Sequence, residues 1–265
     1  MRGKSYRKTY RARKKRPILK SRLFWFLVLA FTLTNAGSYF ALFYPKFQLN
    51  EIKISGNQKV NNQEVEQFIK AEVQKKLAFI QSQSIFLTDS GKIAKSLLQK
   101  YPLIEAAEAK RILPGSLVIE IRERSAAGVW CKLGKCFSID RNGVIFEETA
   151  VTSGLVIEDE ASGASLAVGA VAVSPDTMKS LIDAYQTIAN DMKVGIKKCV
   201  ILDNQRVNII TVGGWEIYFT TKKDISWQLT KLKAVWDKEI PVSRRSDLEY
   251  IELRFGNLAV YRYKQ

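Results

Sequence analysis

The chain has 265 residues, with 42 Lys or Arg against 26 Asp or Glu, three cysteines and no histidine. Lacking imidazole, it has no Ser-His-Asp or Cys-His nucleophile system, no histidine metal ligand and no imidazole base. The formal charge of +16 is concentrated in Met1–Arg22, which holds eleven cations and no acid, while the rest carries 31 basic and 26 acidic residues. A charge placed this way is not a nucleic-acid footprint spread over a folded surface. The tail has little to bury and is predicted to be disordered. It is able to touch anionic headgroups, and Tyr6 and Tyr10 form no base-reading motif.

Leu23–Tyr44 follows with 22 uncharged residues, eleven of them Leu, Phe or Val. As a helix it is roughly 33 Å long, enough to cross a hydrocarbon core of roughly 30 Å. Eleven cations precede it, whereas Pro45–Glu64 holds only Lys46, Lys53 and Lys59. Lys/Arg-rich flanks stay cytoplasmic, so the expected topology is N-terminus in, C-terminal part out. A cleaved signal peptide ending at Ala36-Gly37-Ser38 would need a long basic region and would leave Tyr39–Tyr44 exposed. A buried core helix would need an amphipathic pattern that is missing here. Asn35, Gly37, Ser38 and Ala41 include one small-xxx-small spacing, which reads either as a helix-packing face or as chance.

Beyond the apolar segment, Phe47–Gly56 is predicted to be a strand, with Phe47, Leu49, Ile52 and Ile54 among polar neighbours. Asn61 with Glu64 is a capping box, and Val65, Phe68, Ile69, Val73 and Leu77 make one apolar helical face. A second helix starts near Asp89, buries Ile93, Leu97 and Leu98, and ends before Pro102. Ile104–Leu113 and Leu117–Glu123 flank Pro114-Gly115-Ser116, a hairpin signal. The predicted order is β-α-α-β-β.

That order, with its residues, resembles the POTRA domain of the bacterial cell-division family FtsQ/DivIB. The carrying residues are Ile52-Lys53-Ile54-Ser55-Gly56, Pro102-Leu103-Ile104, the run Ala107–Leu117 and Glu123-Arg124. Trp130, Asp140 and Gly143 follow at the spacing of the junction into that family's second domain, and Tyr250–Phe255 matches its closing segment. The resemblance implies an α+β protein with a single N-terminal transmembrane helix, a POTRA domain and a mainly β domain with two helices. The corresponding boundaries are a basic cytoplasmic tail Met1–Arg22, the membrane helix Leu23–Tyr44, POTRA Pro45–Arg124 and the extracytoplasmic domain Ser125–Gln265.

Within the second domain, Phe137–Asp140 and Val144–Phe146 are predicted to pair around Arg141-Asn142-Gly143. Glu147–Gly169 shows no clear element. A helix beginning at Pro175 is expected to bury Leu181, Ile182, Tyr185, Ile188 and Ala189. Strands follow at Cys199–Asp203, Arg206–Thr211 and Trp215–Thr220, then a helix at Asp224–Lys238 and closing strands at Tyr250–Phe255 and Leu258–Tyr263. If Leu133-Gly134 is a two-residue turn, Cys131 and Cys136 face each other within disulfide range. A cross-strand disulfide in an oxidising exterior and two buried thiols are both open readings, the pair alone being too sparse for zinc. Cys199 reads as a core thiol.

Chemistry is scarce in the sequence. The Ser-x-x-Lys spacing of penicillin-binding enzymes occurs only at Ser5-Tyr6-Arg7-Lys8, in the tail. No glycine-rich phosphate loop occurs. The carboxylates Glu158-Asp159-Glu160 and Glu147-Glu148 read as solvated loops rather than a glycosidase pair. No cofactor and no enzymatic activity are expected. The resemblance instead implies a divisome scaffold at the septum of the cytoplasmic membrane. It would hold the small coiled-coil proteins FtsB and FtsL with the C-terminal part of its last domain and link early ring proteins to septal peptidoglycan synthesis. Arg254 and Phe255 match the family's contact positions, and Leu258, Val260 and Tyr261 join them by place in the last strand. A POTRA-bearing secretion subunit is the other reading, although the chain shows no alternating barrel region.

Overall fold

A computed structural model describes residues 21–74, 82–161, 163, 166–203, 206–222 and 224–265. The tail before Ser21, with its Ser5–Lys8 spacing, and Leu77 of the first helical face lie outside the described residues. Helix α1, Arg22–Phe43, has no buried residue and is long and apolar enough to cross a membrane.

Strand β1 (Glu51–Ser55), helices α2 (Asn62–Val73) and α3 (Ser90–Lys100), and strands β2 (Ile104–Ile112) and β3 (Ser116–Glu123) follow in β-α-α-β-β order. The three strands form a sheet of order β1-β3-β2. The first strand is shorter than the predicted Phe47–Gly56, because Pro45 opens a 3-10 turn over Pro45–Phe47. Proline has the φ that such a turn requires and no N–H to give a ladder. Asn61 Oδ1 accepts the Gln63 N–H at 2.8 Å and so starts α2. On α3, Ile93 and Leu97 are buried, but Leu98 is 37% exposed, against expectation. Residues four apart share a face, and Leu98 lies about 100° round from Leu97.

Nine strands make the second sheet: β4 (Gly128–Lys132), β5 (Lys135–Ile139), β6 (Ile145–Glu148), β7 (Val156–Asp159), β8 (Ile196–Asp203), β9 (Arg206–Thr211), β10 (Glu216–Thr220), β11 (Leu248–Glu252) and β12 (Val260–Tyr263). Their order is β12-β11-β10-β9-β8-β7-β4-β5-β6. Helices α4 (Pro175–Gln186) and α5 (Ile225–Lys238) interrupt the strand sequence. Met178, Leu181, Leu229, Leu232 and Trp236 of the helices share one core with Trp130, Ile157, Ile209, Ile217 and Ile251 of the strands. Within it Trp215 stacks on Trp236. Of the predicted α4 face, Leu181 and Ile188 are buried and Ile182 and Tyr185 pack partly buried against the core, joined by Met178 and Ala184, while Ala189 is not among the core residues.

Strand β7 lies in the stretch that showed no clear element. It runs parallel to both neighbours, β4 and β8, so neither pairing is announced by a hairpin turn. Its acidic run is not a solvated loop. Asp159 pairs with Lys132 at 2.8 Å with both side chains under 10% exposed, and Glu158 pairs with Lys198. Of the three, Glu160 is exposed and the other two are half-buried.

The β4–β5 turn has Leu133 at φ 51° and Gly134 at φ 78°, the two positive values of a type I′ hairpin. That register sets Cys131 opposite Cys136, with Cα atoms 4.1 Å apart and the sulfurs bonded. Cys199 is buried, and the loss of water pushes its thiol pKa up to about 12. At the β5–β6 turn Asp140 Oδ1 accepts from the N–H groups of Asn142 and Val144.

The chain packs as two compact units. Among the described residues, one is drawn from those up to Lys53 and within Ile69–Asp89 and Lys110–Val118, the other from those within Ile54–Phe68, Ser90–Ala109 and Ile119–Gln265. The first contains α1 and the tip of the β2–β3 hairpin. The second contains the whole nine-stranded sheet.

Candidate functional site

Strand β12 is the outermost strand of the nine, antiparallel to β11 with Tyr250 opposite Arg262, Ile251 opposite Tyr261 and Glu252 opposite Val260. Among the described residues, no strand therefore takes the backbone N–H and C=O groups along its outer edge. Tyr261 and Tyr263 pack on the core, their rings 5.6 Å apart. Val260 faces solvent at 46% exposure, and Arg262 pairs across the ladder with Glu249 at 3.0 Å.

The connection from β11 to β12 is held from beneath. Lys231 of α5 is buried, and its ammonium donates to the carbonyls of Leu253 (2.7 Å), Gly256 (3.0 Å) and Leu258 (3.0 Å). An ammonium has three protons, and each finds an oxygen of this connection. Leu253 is fully buried, while Phe255 and Leu258 stand 61% and 68% exposed. Two large apolar side chains are thus presented outward on a segment fixed through its main chain.

Arg254 points back into the fold. Its guanidinium forks onto the buried Glu252 carboxylate, with Nε to Oε1 at 2.8 Å and Nη2 on Oε2, and lies 5.1 Å from the Tyr218 ring centre. Tyr218 stacks on Tyr250 at 5.5 Å. Burial raises the Glu252 pKa, but hydrogen bonds from the Arg254 side chain and backbone outweigh it and hold the carboxyl below its usual range. The same hydrogen bond raises the Arg254 pKa. Burial, followed by the Glu216 charge, raises that of Tyr218. This is an ion pair seated on an aromatic platform, without an activated base or nucleophile. Among the described residues no group of three or more Cys, Asp or Glu is arranged to hold a metal ion.

Two family models match consecutive parts of the chain. Residues 47–124 match "POTRA domain, FtsQ-type", and residues 128–254 match "Cell division protein FtsQ/DivIB, C-terminal". The chain belongs to the FtsQ/DivIB family. With its apolar N-terminal helix, it is a membrane-anchored cell-division protein. No curated protein matches it.

In this FtsQ/DivIB chain the five residues expected at a partner site divide into two sets. Phe255, Leu258 and Val260 are exposed within six residues that lead into the outer strand. Leu258 lies before β12, which begins at Val260 rather than at Leu258 as predicted, and β11 ends at Glu252 rather than Phe255. Tyr261 faces the core and Arg254 is engaged by Glu252. Sequence reasoning missed Lys231, Glu252 and Tyr218. Lys231 falls beside the apolar stripe of α5, and a cation at that place signals a buried acceptor only when the facing carbonyls are known.

Proposed function

We propose that this chain is a non-enzymatic scaffold of the division machinery that holds FtsB- and FtsL-like coiled-coil proteins at the septum. The proposed layout has Met1–Arg22 in the cytoplasm, Leu23–Tyr44 across the membrane, and Pro45–Arg124 and Ser125–Gln265 outside. The charge difference across the apolar segment supports that orientation. An oxidising exterior agrees with the Cys131–Cys136 bond.

The observation that carries the partner reading is the outer strand β12, bordered by exposed Phe255, Leu258 and Val260. A partner strand added to such an edge gains main-chain hydrogen bonds, and the apolar side chains give it specificity. Arg254 contributes by holding Glu252 and so shaping the approach to Phe255. The test is a pull-down from membrane extracts with Phe255→Ser/Leu258→Ser protein, both positions being exposed and therefore tolerant. Recovery of the small coiled-coil partners is expected to fall roughly tenfold or more, as hot-spot losses do. Unchanged recovery would exclude this surface. Cells of normal length after depletion of the protein would exclude the proposed scaffold role itself.

A further inference from the structure

The last turn of α1 runs into a series of aromatic rings in contact. Phe40 stacks on Tyr44 at 4.2 Å between centroids, Phe47 meets Tyr44 at 5.9 Å, and Phe86 lies 5.3 Å from Phe47. Helix ends leave their final carbonyls without intrahelical donors, and here side chains of the same unit supply them. Gln48 Nε2 (2.8 Å) and Ser82 Oγ (2.5 Å) both donate to the Leu42 carbonyl, and Ser84 Oγ donates to Ala41 O at 3.0 Å. The segment carrying Phe86 is therefore fastened to the end of the helix.

The β2–β3 hairpin tip is fastened to the same place. Asn50 N–H donates to Gly115 O at 2.9 Å. A Cβ on Gly115 would stand 2.3 Å from Gln48 O and 3.0 Å from Lys46 O. Only glycine permits that approach. Arg111 Nη1 reaches Phe86 O at 3.5 Å. Around this junction Phe86, Ile112 and Leu113 are 46%, 51% and 61% exposed, and Lys46 and Arg111 are exposed beside them.

Exposed apolar residues grouped this way require an occupant, and the occupant here follows from continuity with α1. A helix of roughly 33 Å fills a hydrocarbon core of roughly 30 Å, so its last turn stands at the headgroup layer. Residues packed on Tyr44–Asn50 stand at the same depth, where aromatic side chains collect and cations meet lipid phosphates. We propose that Phe86, Ile112 and Leu113 form a second membrane contact, dipping into the interfacial layer of the leaflet that faces the folded part, with Lys46 and Arg111 against its phosphates. The proposal rests on α1 spanning the bilayer. It makes the hairpin tip part of the anchor rather than a neighbour on a free tether.

The test uses the full chain in phosphatidylglycerol/phosphatidylcholine vesicles. Cys199 is fully buried and the other two cysteines are bonded, so a single introduced cysteine takes a thiol-reactive fluorophore without reductant. Leu113→Cys and Phe86→Cys are labelled separately, with Phe31→Cys in mid-helix as the reference for the anchor. The expected result is that lipids spin-labelled shallow in the acyl chain quench the fluorophore at 113 and 86, and lipids spin-labelled deep in the chain quench it at 31, while aqueous iodide quenches it at 113 and 86 less than it does the free dye. Quenching at 31 with none at 113 and 86 would overturn the proposal while leaving the anchor standing. Protection from iodide at 113 without quenching by lipid would overturn it in favour of a protein contact. Absence of quenching by lipid at 31 would overturn both readings.

Discussion

The carboxylate of Glu123 collects three consecutive main-chain N–H groups, from Gln58 (2.8 Å), Lys59 (2.9 Å) and Val60 (2.8 Å). Partial burial raises its pKa, but these hydrogen bonds and the Lys59 charge prevail and hold it below the usual carboxylate range. A folded-state pKa below the unfolded one adds stability that is present at neutral pH and lost as pH falls through the folded value. Replacing Glu123 by Gln keeps the shape and removes the charge. The denaturant midpoint of Glu123→Gln is therefore expected below that of the wild type at pH 7. The gap should narrow as pH drops below the ordinary carboxylate range, which chemical unfolding followed across pH checks. Glu252, lowered by Arg254 against the pull of burial, has the same sign and adds to the same acid limb.

Helix α5 acts on the sheet through two buried polar side chains. Gln228 donates to Thr220 O at 2.8 Å and accepts the Thr220 N–H at 3.0 Å, closing the end of β10. One turn on, Lys231 ties the β11–β12 connection by three carbonyls. Hydrogen bonds to a charged group are the stronger kind, and a strand of only four residues has little else to fix its approach. Lys231→Met is expected to cost about 2–3 kcal/mol and to speed amide exchange in Val260–Tyr263 while leaving β8 and β9 protected. Exchange measured residue by residue distinguishes this from general loosening. Partner recovery should fall with it, because Phe255 and Leu258 would no longer be presented by a fixed segment.

Within the second unit a part-buried ion pair joins the two family modules. Arg124, at the end of the POTRA match, donates through Nη1 to Asp140 and through Nε to Pro102 O at 2.9 Å, with side chains 15% and 5% exposed. Removing one member of such a pair strands the other charge. Arg124→Met is expected to destabilise the fold by about 3 kcal/mol and to open residues 125–127 to limited proteolysis, read by the size of the fragments. At this scale the anchor, the β-α-α-β-β order and the hairpins at Leu133-Gly134 and Asn142-Gly143 were legible from the chain alone. An uncharged run of membrane length, a 3.6-residue stripe and a positive-φ turn are each encoded within a few neighbouring residues. Strand β7, the engagement of Arg254 by Glu252, the three carbonyls on Lys231 and the outer place of β12 were not legible. Each depends on which distant strand or helix arrives alongside, and a parallel neighbour or a main-chain acceptor leaves no mark on the local pattern. Composition and periodicity thus settle the apolar anchor and those elements whose signal is local. Long-range pairing settles which edge is left open and which cation is consumed in holding it.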